Sequence, residues 1–334
     1  MQKVGKINLK VLDVNDKLGE SCLKFKLEGT PIDYIVANTI RRTMLADIPI
    51  YAFSDFKFDK NTSVLHNDYL KNRFRNLPVW AIENTIDFID STMKNKLENK
   101  EEDVDDEVDL EVQKKMNTSS LKQLTMYVNY KNKTNDIISV TTNDAKFYYD
   151  EKQIDSPYKV AVPLTKLQPN QEIAFSAITN IGTESEHSMF SACCTTSYNY
   201  SDKNPNMFDF EIESRGQITE KRILLVSLNS IIKRMENFIK LLKDDKTIEN
   251  SENEGMIVVN NEDHTLGNLI ARGMQQHNMI LFAGYNLPHP RVSKVQFHYK
   301  HEKGTNIMKI MDDVVEYYME IFNEIKKLIS KELK

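Results

Sequence analysis

The sequence predicts an α+β protein. Two dimerisation modules, each a small antiparallel sheet with helices, are expected to close on each other as an intramolecular pseudo-dimer, and the first carries a β-rich insert domain. Three observations lead there. A short helical motif occurs twice, 230 residues apart. Each copy is followed later by a long helix with an apolar stripe at coiled-coil spacing. Between the first motif and the first striped helix lies a block of short β-like runs. At 334 residues the chain has length for two or three domains, each with its own core.

Ile7, Leu9 and Val11 alternate with polar residues, as do Leu23, Phe25 and Leu27, so the chain opens on two strands. Gly29-Thr30-Pro31 then starts a helix, with Thr30 as the cap and Pro31 in the first turn, where its missing N–H does no harm. The helix is expected to reach about Asp47, with Ile32, Ile35, Val36, Ile40 and Met44 on one face and Pro49 as its stop. A strand follows near Tyr51 to Phe58. Residues 98–111 hold nine acids and one lysine, Lys100, a self-repelling stretch expected to be a solvated loop. Further β-like runs span Leu124 to Tyr130, Ile137 to Tyr149, Lys159 to Leu164, Glu172 to Ile178 and Met189 to Tyr200.

Phe208, Phe210 and Ile212 form another strand, turned by Arg215-Gly216 into a helix from about Thr219 to Lys243. On that helix Leu224, Leu228, Ile231, Met235, Phe238 and Leu242 are spaced 4, 3, 4, 3, 4, a stripe suited to packing on another helix. Residues 244–254 are short and polar, a linker by composition. Met256 to Val259 is a strand, and Asp263 or Thr265 can cap a helix running to about His277. Leu281 to Tyr285 leads into Leu287-Pro288-His289-Pro290, and Val292 to Tyr299 is a strand. The last helix carries Met308, Met311, Val315, Tyr318, Phe322, Ile325 and Ile329, the second stripe. The expected division is 1–80 with 205–243 as the first module, 81–204 as the insert, 244–254 as the linker and 255–334 as the second module.

The repeat itself is Ala37-Asn38-Thr39-Ile40-Arg41-Arg42-Thr43-Met44 against Gly267-Asn268-Leu269-Ile270-Ala271-Arg272-Gly273-Met274, a small residue followed by N-x-I-x-R-x-M. The order of elements around it repeats as well, which strengthens the reading. Each half has two striped helices and little sheet to bury them on. Packing half on half removes that surface from water at about 25 cal/mol per Å². A tether raises the effective concentration to roughly millimolar. The interface is therefore expected to comprise Ile40, Met44, Leu224, Leu228, Ile231, Met235, Phe238, Leu242, Ile270, Met311, Val315, Tyr318, Phe322 and Ile325.

Composition narrows the function. The chain is 40% hydrophobic and 28% charged, with a net charge of −5 and its basic residues dispersed, unlike a stand-alone nucleic-acid binder. Cys22, Cys193 and Cys194 do not suit a disulfide framework, since neighbours in sequence do not normally pair, and three thiols are too few for a typical zinc site. A reducing, intracellular setting follows. Cys193 and Cys194 are expected as buried residues of a strand. Neither a signal-peptide core nor an apolar run of about 18 residues occurs, so no membrane is expected, and the sequons at Asn61, Asn117, Asn132 and Asn199 are read as chance. P-loop, G-x-S-x-G, H-E-x-x-H and C-x-x-C patterns are absent, and the acids at 101–109 have no framework to hold magnesium. No catalytic residue, metal or cofactor is expected.

ANTIRRTMLADIPIYAF (37–53) and NTSVLHNDYLKNRFRNLPV (61–79) resemble the N-terminal domain of the bacterial RNA polymerase α subunit. They are closer to the archaeal D subunit and the third subunit of eukaryotic RNA polymerase II. KLQPNQEIAFSAITNIGTESEHSMFSACCTTSYNY (166–200) resembles the end of the insert domain of those proteins, and FDFEIESRGQI (208–218) the strand re-entering the dimerisation domain. EDHTLGNLI (262–270) and LFAGYNLPHP (281–290) are similar to the archaeal L subunit and the eleventh subunit of RNA polymerase II. The resemblance implies two α-like subunits fused in one chain, an arrangement similar to polymerases of large DNA viruses. It implies a non-catalytic assembly platform that docks the largest and second-largest polymerase subunits, with small zinc-bearing subunits alongside and no sequence-specific DNA contact. If viral, the chain would act in the host cytoplasm and be packaged in the virion. Residues matching the signature, and so expected at partner contacts, are Asn38, Arg41, Arg42, Asp263, His264, Asn268 and Arg272, although His264 also reads as a structural residue near a helix start. Relatives often carry a metal-binding cysteine cluster in the insert, where this chain has the acidic run. The alternatives are a stand-alone dimeric scaffold or transcription regulator, which would bind DNA with a steep salt dependence, and an enzyme with a site in the β-rich block, which would need a pocket with perturbed ionisable groups.

Overall fold

A computed structural model describes residues 4–15, 17, 21–82, 85–89, 123–201, 204–243, 248–250, 253–289 and 294–333. The acidic run at 98–111 and Asn117 lie outside them. The chain divides into two compact units, residues 1–48 with 192–334, and residues 49–191. By backbone contact, residues 192–204 belong to the first unit and 49–80 to the second, where the sequence reading had placed the boundaries at 80/81 and 204/205.

The first unit holds both repeats. β1 (Ile7–Asn15), β2 (Cys22–Gly29), β10 (Cys193–Ser201) and β11 (Asn204–Ser214) form an antiparallel sheet in the order β1-β2-β11-β10. β12 (Ile248–Asn250), β13 (Glu254–Asn260), β14 (Ile280–Asn286) and β15 (Lys294–His301) form a second, ordered β12-β13-β15-β14. The two orders are the same once β12 is matched to β1. That match corrects the linker, because Ile248–Asn250 pairs with β13 from Ile257 to Gly255 and Glu254 already belongs to β13. Three-residue strands leave too little alternation to read from sequence. Alternation is clear in β2, whose Leu23, Phe25 and Leu27 are buried, and Phe25 stacks on Phe210 of β11 with centroids 4.9 Å apart.

Helices complete each half. α1 (Tyr34–Ala46) follows β2, and α4 (His264–Gln276) follows β13. The long helices α3 (Glu220–Leu242) and α5 (Ile307–Glu332) follow β11 and β15. α1 starts at Asp33, not Thr30: the Asp33 carboxylate accepts hydrogen bonds from the Ile35 and Val36 N–H groups, a stronger cap than a threonine three residues earlier. Gly216, at φ +83°, makes the expected turn before α3, and Thr219 caps that helix.

The second unit contains the five-stranded sheet β3-β9-β4-β6-β7, made of β3 (Ile50–Asn61), β4 (Leu124–Lys131), β6 (Ala145–Tyr149), β7 (Lys152–Ile154) and β9 (Glu172–Gly182), with a two-stranded sheet of β5 (Ile138–Thr141) and β8 (Pro163–Leu167). The expected single run Ile137 to Tyr149 is two strands, parted by a 3-10 turn at Thr142–Asp144 that Thr141 and Asp144 cap reciprocally. The run expected from Lys159 to Leu164 forms β8 a little later, because Val160 faces solvent and the buried residues are Leu164, Thr165 and Leu167. A helix absent from the sequence reading, α2 (Asn67–Arg75), sets Leu70 and Phe74 into this core, where Phe74 stacks on Phe175 at 4.7 Å. The run expected from Met189 to Tyr200 begins as a 3-10 turn at Ser188–Phe190, and only its later part is β10, in the first unit.

Candidate functional site

The two halves meet at two helix caps. Asp33 caps α1 and Asp263 caps α4, the latter accepting from the Thr265 N–H at 2.9 Å. Nine residues on, each helix carries an arginine pointed at the other helix's cap. Arg42 Nη2 lies 3.8 Å from Asp263 Oδ2, and its Nε donates to Thr265 Oγ1 at 2.9 Å. Arg272 Nε lies 3.5 Å from Asp33 Oδ2, near enough for an ion pair but not aligned as a hydrogen bond. Asp33 and Asp263 differ by the repeat interval of 230, as do Arg42 and Arg272. The contact is thus reciprocal, the mark of two-fold pairing. Each of these ion pairs is partly exposed and contributes less than about 1 kcal/mol.

A buried cluster adds to one side only. Arg234 of α3 donates through Nη1 to Asp47 Oδ2 at 2.7 Å and through Nη2 to Glu262 Oε2 at 2.6 Å and Asp263 Oδ1 at 2.7 Å. Its side chain keeps 12% of its exposure and Glu262's keeps 10%. Burial, reinforced by the neighbouring Asp263 and Asp47, holds the Glu262 carboxyl above the ordinary range despite Arg234. Burial pushes Asp263 the same way, but the Arg234 charge and hydrogen bonds from Arg234 and Thr265 outweigh it and hold Asp263 low. One guanidinium fork thereby links the end of α1, α3 and the start of α4.

The apolar stripes lie inward. α3 packs on α5 and α1 on α4, and each long helix also meets a strand of the other half, α5 against β1 and α3 against β13. Ile40, Met44, Leu224, Leu228, Ile231, Met235, Phe238, Leu242, Ile270, Met311, Val315, Tyr318, Phe322 and Ile325 are all buried, none more than 3% exposed. Packing is close enough to require glycine at one point: a Cβ on Gly273 would sit 2.5 Å from Val314 Cγ1 and 2.8 Å from Tyr318 Cε2.

The signature residues divide into two groups. Arg42, Asp263 and Arg272 contact the opposite half. Arg41 donates to Asn38 Oδ1 along its own helix at 3.1 Å, and both are partly exposed, as is Asn268. His264, exposed in the first turn of α4, meets the Tyr285 hydroxyl at 3.3 Å. Of the adjacent cysteines, Cys193 is buried with its thiol pushed up to about 12 by burial, whereas Cys194 is exposed, because neighbours in a strand face opposite sides. Among the described residues Cys22, Glu211 and Glu213 bring possible ligand atoms within 4.8 Å, but Glu211 is already paired with Lys24 at 2.7 Å. No helix of the described residues is long and apolar enough to cross a membrane.

Sequence reasoning missed Arg234, Asp47, Glu262 and Asp33. The last had a signal: aspartate stands nine residues before the shared arginine in both copies. Arg234 had none, since it looks like any basic residue flanking an apolar stripe.

Two segments of the chain match the family described as the RNA polymerase Rpb3/Rpb11 dimerisation domain, residues 24–235 and residues 254–328. The chain belongs to that family. A putative DNA-directed RNA polymerase subunit of Acanthamoeba polyphaga mimivirus is 27% identical over 97% of this chain and 94% of its own length. The rpac1 subunit of RNA polymerases I and III of Dictyostelium discoideum is 26% identical over 62% of this chain and 63% of its own. A probable RPAC2 subunit of RNA polymerases I and III of Caenorhabditis elegans is 30% identical over 25% of this chain and 58% of its own. The chain therefore spans about three-fifths of the length of these two cellular relatives. The fusion of two Rpb3/Rpb11-type domains in one polypeptide, which the family resemblance implies, is matched in both segments.

Proposed function

We infer that this chain is a non-catalytic assembly subunit of a multisubunit DNA-directed RNA polymerase, in which one polypeptide supplies both members of the dimeric platform. The observation that carries it is the pairing itself: two sheets of one strand order, two reciprocal cap contacts and a shared helical core, within a chain that matches the dimerisation family twice. The likeness to Rpb3-type and mimivirus polymerase subunits supports the largest and second-largest subunits as partners, with small zinc-bearing subunits beside them, and a viral polymerase acting in the host cytoplasm and packaged in the virion.

The docking residues on this reading are Asn38, Arg41, His264 and Asn268, which keep solvent exposure. Arg42, Asp263 and Arg272 serve the pseudo-dimer instead, because their charges are engaged by the opposite half. The buried stripe residues form its interface.

Co-expression with the two largest subunits of the same polymerase tests this. An affinity tag on the chain is expected to recover both, and the chain alone is expected to show no nucleotidyl transfer. Recovery of neither large subunit contradicts the assignment. The variant R41E, which reverses one exposed charge, is expected to reduce recovery of a large subunit by about ten-fold with the fold intact.

A further inference from the structure

A chain with two like halves can pair in two ways: unlike halves within one chain, or like halves between two chains. The ion pairs between arginine and cap cannot decide between them. Arg42 facing Asp33 of a second copy, or Arg272 facing Asp263 of a second copy, would reproduce the same ion pair.

The long helices do distinguish them. Aligning their stripes sets Leu224 on Met311 and Leu242 on Ile329, an interval of 87 that places Arg234 on Ile321. The repeat interval of 230 places Glu262 on Ile32 and Asp47 on His277. Contacts agree with this alignment: Thr43 and Ile231 line one small void, and their counterparts Gly273 and Tyr318 are also in contact. On one side of the pseudo-two-fold, then, stands the buried pair Arg234–Glu262, and at the equivalent positions on the other stand Ile32 and Ile321, both fully buried. His277, the counterpart of Asp47, is engaged elsewhere, 3.5 Å from Asp313.

We propose that Arg234 and Glu262 are the specificity-determining residues that make the two halves pair with each other and exclude like-with-like pairing between chains. In the unlike pair, charge meets charge on one side, and two buried isoleucines hold the equivalent positions on the other. In a pair of second halves, Glu262 meets Ile321 of the other copy and is buried without its arginine, a strongly disfavoured state. In a pair of first halves, Arg234 loses Glu262 to Ile32. A single buried polar contact fixes partner choice in associating helices by this same penalty on the wrong partner. The proposal rests on the pairing of the halves in the reading above, not on docking to large subunits.

The test uses the full chain with N268C, which places a thiol midway between the two paired positions of α4, where like-with-like pairing would bring two copies together. Light and 15N-labelled chains are unfolded together, refolded and treated with a short thiol cross-linker, and peptides joined 268-to-268 between light and heavy chains are counted by mass. The N268C chain is expected to give background levels. Adding E262I, the residue its counterpart already has, is expected to raise them at least ten-fold. A folded E262I chain that stays at background overturns the proposal. Should E262I not fold, R234M/E262I is read the same way, and failure of both to fold assigns the ion pair to folding and overturns a selective role. The chain carrying N38C and N268C is the control. Its intramolecular link is expected, and its absence sinks the pairing of the halves, whereas its presence with no effect of E262I sinks selectivity alone.

Discussion

Arg234 meets three carboxylates, and its removal has a signed outcome. R234M removes the guanidinium that Asp47, Glu262 and Asp263 share, and we expect a loss of about 3–5 kcal/mol near neutral pH by urea unfolding. In the native protein the lowered Asp263 contributes stability above the ordinary carboxylate range and loses it as pH falls through its folded value. In R234M Glu262, already held high by burial, also loses the Arg234 charge that draws it down, so the folded form binds a proton that the unfolded form does not, and stability rises as pH falls. The gap between the two proteins should therefore narrow from pH 7.5 towards about pH 5. A gap that widens contradicts the account of the cluster. The cysteines give a second check: Cys194 should label with a maleimide at least about ten-fold faster than Cys193, whose thiol is buried and held protonated. At this scale the sequence revealed the repeated asparagine and arginine but not the roles of the arginines. A guanidinium on a helix surface looks alike whether it faces water or the cap of a distant helix, and the fold alone makes Arg42 a contact between halves and leaves Arg41 on the surface.

Elements were legible wherever apolar periodicity was long. α3 and α5 appear in the sequence as unbroken stripes, and β2 and β11 as clean alternation, because each buries one face over many residues. α2 was not, since only Leu70 and Phe74 of its nine residues are buried and the rest is charged or polar. β12 was hidden in a polar segment: three residues carry no readable periodicity, and it is backbone pairing with β13 that defines the strand. The packing of α4 on α5 leads to a prediction at this scale. G273A inserts a methyl 2.5 Å from Val314 Cγ1, and we expect about 1–3 kcal/mol of destabilisation by overpacking, despite alanine's better helix propensity. The truncation V314A made in the same chain should recover part of it, and a G273A chain as stable as the parent would mean the two helices are further apart than described.

At the scale of the whole molecule, fusing the two halves gives each its partner at the moment of synthesis and at a concentration no dilution can lower. The repeat of motif and element order was enough to foresee that arrangement, while the boundary of the second unit was not, because β3 and α2 carry a family-like sequence yet pack with the insert sheet. The account requires a polymerase with one copy of this chain where two separate subunits would otherwise stand. The direct measurement is the intact mass, under native conditions, of the complex purified through a tag on this chain from its natural source. A mass fitting one copy together with the two largest polymerase subunits is the predicted result. Two copies per complex, or a complex that lacks both large subunits, would contradict it.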